Sequence, residues 1–232
     1  MMLKPWDQLP DTMRTEAVRP YYDVLHRHQA SLILKRIFDI IVSLILLVPA
    51  FPFMLLIAAA VKLDTPGPAL FFQERVTTYG RRFMIWKFRT MRQNADKEGS
   101  QVTVSNDRRI TRVGGVLRKY RLDELPQLVN IVKGDMSFVG TRPEVVKYVK
   151  LYKPEYYATL LMPAGVTSEA SIRYKDEYKL LAKADDVDRV YMEEVLPAKM
   201  VWNLESLIRF RFLRELLTMV RTILAVFGKD YH

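Results

Sequence analysis

The hydrophobic positions of the chain change their rhythm along its length. From Ile37 to Val61 they run nearly unbroken, "IFDIIVSLILLVPAFPFMLLIAAAV", with one charge, Asp39, near the start and Pro49 and Pro52 at the centre. As a straight helix the run measures roughly 37 Å at about 1.5 Å per residue, enough for a hydrocarbon core of ~30 Å. The flanks argue against a simple crossing. His26, Arg27, Lys35 and Arg36 precede it and Lys62, Arg75, Arg81 and Arg82 follow, so the tendency of basic residues to stay in the cytoplasm places both ends on one side. Each proline removes a backbone donor and crowds the preceding turn. The expectation is two half-helices of about a dozen residues, each about 18 Å long, that enter one leaflet and return. A proline-kinked spanning helix is the alternative. A cleaved signal peptide does not fit, because the apolar part is too long and a polar stretch precedes it. Asp39 lies three and four residues after Arg36 and Lys35, which are expected to neutralise it at headgroup depth.

After Val61 the pattern becomes mixed, and "DTPGP" at Asp64–Pro68 marks a turn. The stretches "ALFFQERV" and "RRFMIWKFRTM", rich in aromatic and branched residues and separated by "TTYG", predict a β-hairpin. In an extended "WKFRT", Lys87 and Arg89 share one face and Trp86, Phe88 and Thr90 the other. Helices are expected around Glu124–Val132, Pro143–Tyr152 and Glu155–Leu161, and again from about Lys175. Near the end, Met200, Leu204, Leu207, Ile208, Leu216, Val220, Ile223, Leu224 and Phe227 keep near-helical spacing among Arg209, Arg211, Arg214, Arg221 and Lys229. Such a basic amphipathic helix suits an anionic leaflet, and periodicity alone suits a core-packing helix equally well. The fold class is therefore α+β and mostly helical: a re-entrant, proline-broken membrane helix, a small β-hairpin and amphipathic interfacial helices. Its parts are an N-terminal extension (1–33), the membrane helix (34–62) and a cytoplasmic domain (63–232).

Composition narrows the chemistry. Among 232 residues, 36 Lys+Arg against 26 Asp+Glu give a formal charge of +10, which points to nucleic acid, anionic lipid or a phosphorylated substrate. The absence of cysteine excludes disulfides, thiolate metal sites and cysteine nucleophiles. The alternate pair His26 and His28 is read as exposed rather than metal-binding. No dinucleotide fingerprint, Walker loop or Ser-His-Asp set is present. Oligomeric state has no signature.

One short stretch stands out, "YRLDELPQL" from Tyr120 to Leu128. Asp123 and Glu124 followed by Pro126 are what an ordinary helix start looks like. The surroundings add another meaning, because Arg108, Arg109, Arg112, Arg118 and Arg121 crowd the preceding fifteen residues and Arg142 follows in "GTRP". Adjacent residues diverge by about 100° on a regular helix. At a helix start, however, Asp123 can leave helical geometry and converge with Glu124 on one cation. Hard carboxylate oxygens beside phosphate suit Mg²⁺, and Arg118 and Arg142 suit phosphate oxygens. Together they make a site for a diphosphate.

With these residues in view the sequence resembles the monotopic phosphoglycosyl transferases, or bacterial sugar transferases. The resemblance rests on "KRIFD", "GPALFFQERV", "WKFRTM", "DRRITRVGGVLRKYRLDELPQLVNIVKGDMSFVG" and "TRPE", in that order, over roughly Leu34 to Gly165. The length resembles that of the small catalytic-unit members. It implies transfer of a sugar 1-phosphate from a nucleotide diphospho-sugar, with UDP the expected nucleotide, to a polyprenyl phosphate at the cytoplasmic face of a bacterial inner membrane, initiating a membrane-linked glycan. Asp123 matches the family's nucleophile and Glu124 its partner in the Mg²⁺ site. Lys87, Arg89, Arg118, Gln127 and Arg142 are the expected substrate-binding residues, with Lys87, Arg89 and Gln127 equally readable as structural. Membrane lipids are expected partners and nucleic acid is not. Three positions depart from the family pattern: Thr77 and Ser168 stand where glycine is usual, and Thr141 where proline is. The competing readings are a membrane-tethered polyanion-binding protein and a family member that binds without turnover.

Overall fold

The structure, a computed structural model, describes residues 2–95, 107–174, 181 and 184–226. The chain opens with two 3-10 turns, Trp6–Gln8 and Asp11–Met13, then helix α1 (Arg19–Arg27) and a long helix α2 (Gln29–Asp64). Strands β1 (Leu70–Val76) and β2 (Arg82–Phe88) form the expected antiparallel hairpin, in register from Leu70 opposite Phe88 to Val76 opposite Arg82. Helix α3 (Arg112–Lys119), a 3-10 turn (Leu122–Glu124) and helix α4 (Gln127–Lys133) lead to β3 (Met136–Val139). There follow α5 (Val146–Val149), a 3-10 stretch (Pro154–Leu161) and β4 (Ala164–Thr167), which pairs parallel with β3. The described chain ends with α6 (Glu169–Arg173), α7 (Val187–Val190), a π-turn (Tyr191–Val195), α8 (Leu196–Ile208) and α9 (Phe212–Val226). The fold is mostly helical with a small antiparallel sheet.

The middle helices are shorter than the pattern predicts. The expected Glu124–Val132 helix is a 3-10 turn and then α4, divided where Pro126 cannot donate. Only Val146–Val149 of the expected Pro143–Tyr152 helix is α-helical, and Pro154–Leu161 winds as 3-10. The expected helix from Lys175 begins outside the described residues.

Three apolar clusters organise the packing. The largest joins Leu3, Leu9, Met13, Val18, Tyr22 and Leu25 of the first 28 residues to Tyr148, Tyr156, Leu161, Tyr191 and Met200. The N-terminal segment is thus part of the core, and Tyr79 and Tyr22 fasten it further by bonds with the Lys4 amide and carbonyl (2.9 and 3.0 Å). A second cluster sits between the hairpin and α4, with Phe83, Ile85, Leu128, Ile131 and Met136. The third holds Phe88 and Leu117.

Helix α2 is continuous through Pro49 and Pro52, and at about 1.5 Å per residue it measures roughly 54 Å along its path. One face is bound to the domain along its length. Leu47 and Ala50 pack on the second cluster and Ile57 and Val61 on the third, while Ile41, Ile45, Val48, Phe51, Leu55 and Leu56 are exposed. Its charged start is wired differently from the sequence expectation. Asp39 is not paired with Lys35 and Arg36; it accepts from the Ser137 hydroxyl (2.7 Å) and the Phe138 amide (3.3 Å) on β3. Lys35 turns to the Val139 carbonyl and to Glu215 of α9, and Arg36 donates to the Ile131 and Val132 carbonyls (2.6 and 2.8 Å) at the end of α4. The reason is burial: Lys35 and Asp39 are 5% and 3% exposed, and each finds a partner across the interface that a same-helix pair would have left unsatisfied.

Candidate active site

The acid pair lies on the turn between α3 and α4. Thr111 caps α3 by accepting from the Gly114 amide (3.0 Å). Gly114 is needed there, since a Cβ would stand 2.1 Å from the Thr90 carbonyl oxygen. Arg121 then takes a left-handed conformation (φ 56°, ψ 21°), uncommon for a side chain of its size. The reversal turns Leu122–Glu124 into a 3-10 turn, so that Asp123 and Glu124 both face the cavity despite being neighbours in sequence.

That cavity has a volume of about 990 Å³, and Lys87, Arg118, Arg142, Asp123, Glu124 and Gln127 all line it. Glu124 Oε1 is the electrostatic centre, meeting Arg142 Nη2 at 2.8 Å, Lys87 Nζ at 3.5 Å and Arg121 Nη1 at 3.9 Å. Burial alone would raise the pKa of Glu124, but Arg142, Lys87 and Arg121 hold its carboxyl well below the usual range. Asp123 behaves oppositely. It is 8% exposed, and its Oδ1 has no hydrogen-bond partner among the described residues. Burial first, and the Glu124 carboxylate second, push its pKa up against the pull of Lys87, Arg118 and Arg142. Burial pushes Lys87 down to about 8, with Glu124 opposing and Arg142 reinforcing the shift. One acid is therefore firmly anionic, and the other has its charged form disfavoured by burial and one oxygen without a hydrogen-bond partner among the described residues.

Of the residues expected at the site, Glu124, Lys87 and Arg142 meet directly, and Asp123 lies close enough to feel the charge of all three. Arg118 stands among them as an electrostatic neighbour of Asp123. Gln127 is 2% exposed, and its Nε2 has no partner among the described residues. Arg89 also lines the cavity, while its Nη atoms donate to the carbonyls of Val61, Thr65 and Pro66 at the end of α2. Arg75, expected only as part of the basic flank of the apolar run, lines the cavity and donates to Gln73 Oε1 and the Pro143 carbonyl; its alternation with Gln73 along β1 is the available signal. Thr77 has a use of its own, its hydroxyl donating to the Asp135 carbonyl (2.6 Å) and accepting from the Ala164 amide (3.1 Å). Ser168 caps α6 by accepting from the Ser171 amide.

Comparison with known proteins decides the lineage. The family model described as "Bacterial sugar transferase" matches residues 30–228. The chain belongs to this family. It is 37% identical over 210 residues to the UDP-N-acetylgalactosamine-undecaprenyl-phosphate N-acetylgalactosaminephosphotransferase of Aeromonas hydrophila, covering 84% of this chain and 48% of that one. It is 43% identical over 151 residues to the exopolysaccharide production protein PSS of Rhizobium leguminosarum bv. phaseoli, covering 62% and 75%. With the UDP-glucose:undecaprenyl-phosphate glucose-1-phosphate transferase of Escherichia coli (strain K12) it shares 36% identity over 192 residues, covering 79% and 41%. The chain thus spans about half the length of some of these bacterial sugar transferase relatives and three quarters of another.

Proposed function

We propose that the protein transfers a sugar 1-phosphate from a nucleotide diphospho-sugar to a polyprenyl phosphate through a covalent intermediate on Asp123. The observation that carries this reading is the Asp123 carboxylate itself: buried, with an unpartnered oxygen, in the wall of a cavity ringed by Lys87, Arg118 and Arg142. An unmade hydrogen bond on a buried carboxylate costs stability, and a nucleophile is a reason to keep one. A carboxylate is weakly nucleophilic in water; burial that raises its pKa makes the oxygen more basic and more reactive.

In the first step an Asp123 oxygen bonds to the sugar-bearing phosphorus. The bridging oxygen leaves with its electron pair, releasing the nucleoside monophosphate. In the second step an oxygen of the lipid phosphate attacks that phosphorus and the Asp123 carboxylate departs, giving polyprenyl diphospho-sugar. Arg142, Arg118 and Lys87 neutralise the phosphate oxygens in both steps. The names of the Aeromonas and Escherichia relatives specify a UDP-sugar and undecaprenyl phosphate, which supports UDP and a polyprenyl carrier here.

The donor set fits a hard divalent cation. The two adjacent carboxylates, one with a free buried oxygen, match the one or two that Mg²⁺ takes alongside substrate oxygens. Among the described residues no cluster of three metal-binding side chains exists, so water and substrate would complete the shell. Asp123 and Glu124 would hold the ion, which when bound supplies further neutralisation of phosphate charge.

The membrane placement follows from α2. It is apolar and long enough to cross a bilayer, yet Arg36 near its start and Val61 near its end are both bound to one domain. We read it as bent at the prolines and inserted from the cytoplasmic face, with α9, whose Leu213, Leu217, Val220 and Ile223 are exposed, lying at the interface. That geometry holds the acid pair near the lipid phosphate.

Incubating the purified protein with UDP-sugar and Mg²⁺, without lipid, tests the chemistry. Intact-mass analysis is expected to show a sugar-phosphate adduct that disappears on addition of polyprenyl phosphate and never forms on Asp123→Asn. An Asn variant that still turns over refutes the assignment.

A further inference from the structure

The cavity extends past the acid pair to a second group of buried polar side chains that the reaction above leaves unused. Arg142, bonded to Glu124, is followed by Pro143 and Glu144. Glu144 is 7% exposed and lines the same cavity. Its Oε1 accepts from the Tyr191 hydroxyl. The Tyr191 ring packs against Tyr148 with centroids 5.0 Å apart, and Lys199 Nζ lies 5.6 Å from the ring of Tyr191. All four residues line the cavity, and Glu144 stands two residues from Arg142, at most about 7 Å along the backbone.

We propose that Glu144 and Tyr191 select the sugar of the donor by binding its hydroxyl groups, with Tyr148 supplying an aromatic wall. The inference rests on the transfer reading. Two arguments carry it. The first is distance from the reacting phosphorus: the sugar is attached directly to the phosphate that meets Asp123, whereas the nucleoside is one phosphate further away. The pocket adjoining the acid pair therefore belongs to the sugar. The second is charge. A buried carboxylate repels phosphate and accepts hydrogen bonds from hydroxyls, offering about four acceptor sites of which Tyr191 takes one. Arg75 lies close enough to feel and balance the Glu144 charge, while Arg142, Arg118 and Lys87 at the acid pair suit the phosphates. A pocket of convergent polar groups on aromatic walls is the usual construction of a specific small-molecule site. A site that hydrogen-bonds a substrate hydroxyl discriminates strongly against analogues that misplace it.

The test uses Glu144→Gln, which keeps shape and the Tyr191 partner, and Tyr191→Phe. A panel of UDP-sugars first identifies the donor the wild-type protein prefers, and kcat/KM is then measured for that donor and its epimer at one hydroxyl. The ratio of the two values is the readout, because it does not depend on what fraction of a variant is folded. Each substitution is expected to lower the ratio about tenfold while the inhibition constant of uridine monophosphate stays within about twofold. An unmoved ratio overturns the proposal, and so does a shifted uridine monophosphate constant with an unmoved ratio, which would assign the pocket to the nucleoside. Wild-type protein that turns over no donor sinks the transfer reading and this inference with it; turnover with an unmoved ratio sinks this inference alone.

Discussion

At the scale of single residues, the two acids of the site place opposite demands on the fold. A carboxyl whose pKa is raised on folding, as at Asp123, destabilises the folded state once ionised, so the cost is present at neutral pH and fades as pH falls through that raised value. Asp123→Asn is therefore expected to be inactive yet to melt at a higher temperature at pH 7, with the gain shrinking as pH falls through the raised value and absent below the ordinary carboxylate range. Glu124 carries the opposite sign. Its folded pKa is depressed, so its contribution is present above the unfolded value and lost as pH falls below it. Glu124→Gln removes the carboxylate that Arg142 and Lys87 share and is expected to cost about 3 kcal/mol at pH 7 by chemical denaturation. Equal stability of the two variants at pH 7 contradicts the assignment. The sequence pointed to both acids and to Arg142 because charge and order along the chain are local facts. It did not reveal that Arg89 binds the end of α2, a contact made with residues up to 28 positions earlier, nor that Arg121 turns the pair inward from a left-handed conformation.

At the scale of elements, the hairpin and the long apolar helix were legible because their patterns repeat over many residues. The segments around Pro126, Pro143 and Pro154 were harder. Their apolar spacing says helix, but each proline withholds a donor, and packing against neighbours decides where α-helix gives way to 3-10. The start of α2 was misread for a related reason: spacing along one helix suggests pairs within it, whereas a buried interface rewards partners on other elements. Arg36 is the clearest case, capping the carbonyl end of the helix that begins three residues after Glu124. Replacing it with Met, which keeps the apolar stem, is expected to cost about 1.5–3 kcal/mol in chemical denaturation, the worth of hydrogen bonds from a charged donor. A loss below about 0.5 kcal/mol would show that these bonds do not hold α4.

At the scale of the whole molecule, both ends of α2 are bound to one domain, and the re-entrant arrangement proposed above places both on one side of the bilayer. The absence of cysteine makes this directly measurable. Single cysteines at Ala30 and Leu63, both exposed, are expected to react with an impermeant maleimide in inside-out vesicles and to be protected in intact cells. Labelling of the Ala30→Cys variant from outside the cell contradicts the same-side arrangement. The first 28 residues all precede the matched family region and contribute Leu3, Leu9, Met13, Val18, Tyr22 and Leu25 to the largest apolar cluster.

The grip of Arg36 on α4 and of Ile57 and Val61 beneath the hairpin gives the proposed bend of α2 a further meaning. A helix lodged in one leaflet adjusts its tilt and bend to the local thickness of the hydrocarbon. In the proposed arrangement any such adjustment reaches α4 through Arg36 and α3 through the packing of Ile57 and Val61 with Leu117, the two helices that flank the acid-lined turn. Turnover should accordingly track acyl-chain length, rising and falling with how well the leaflet suits the wedge.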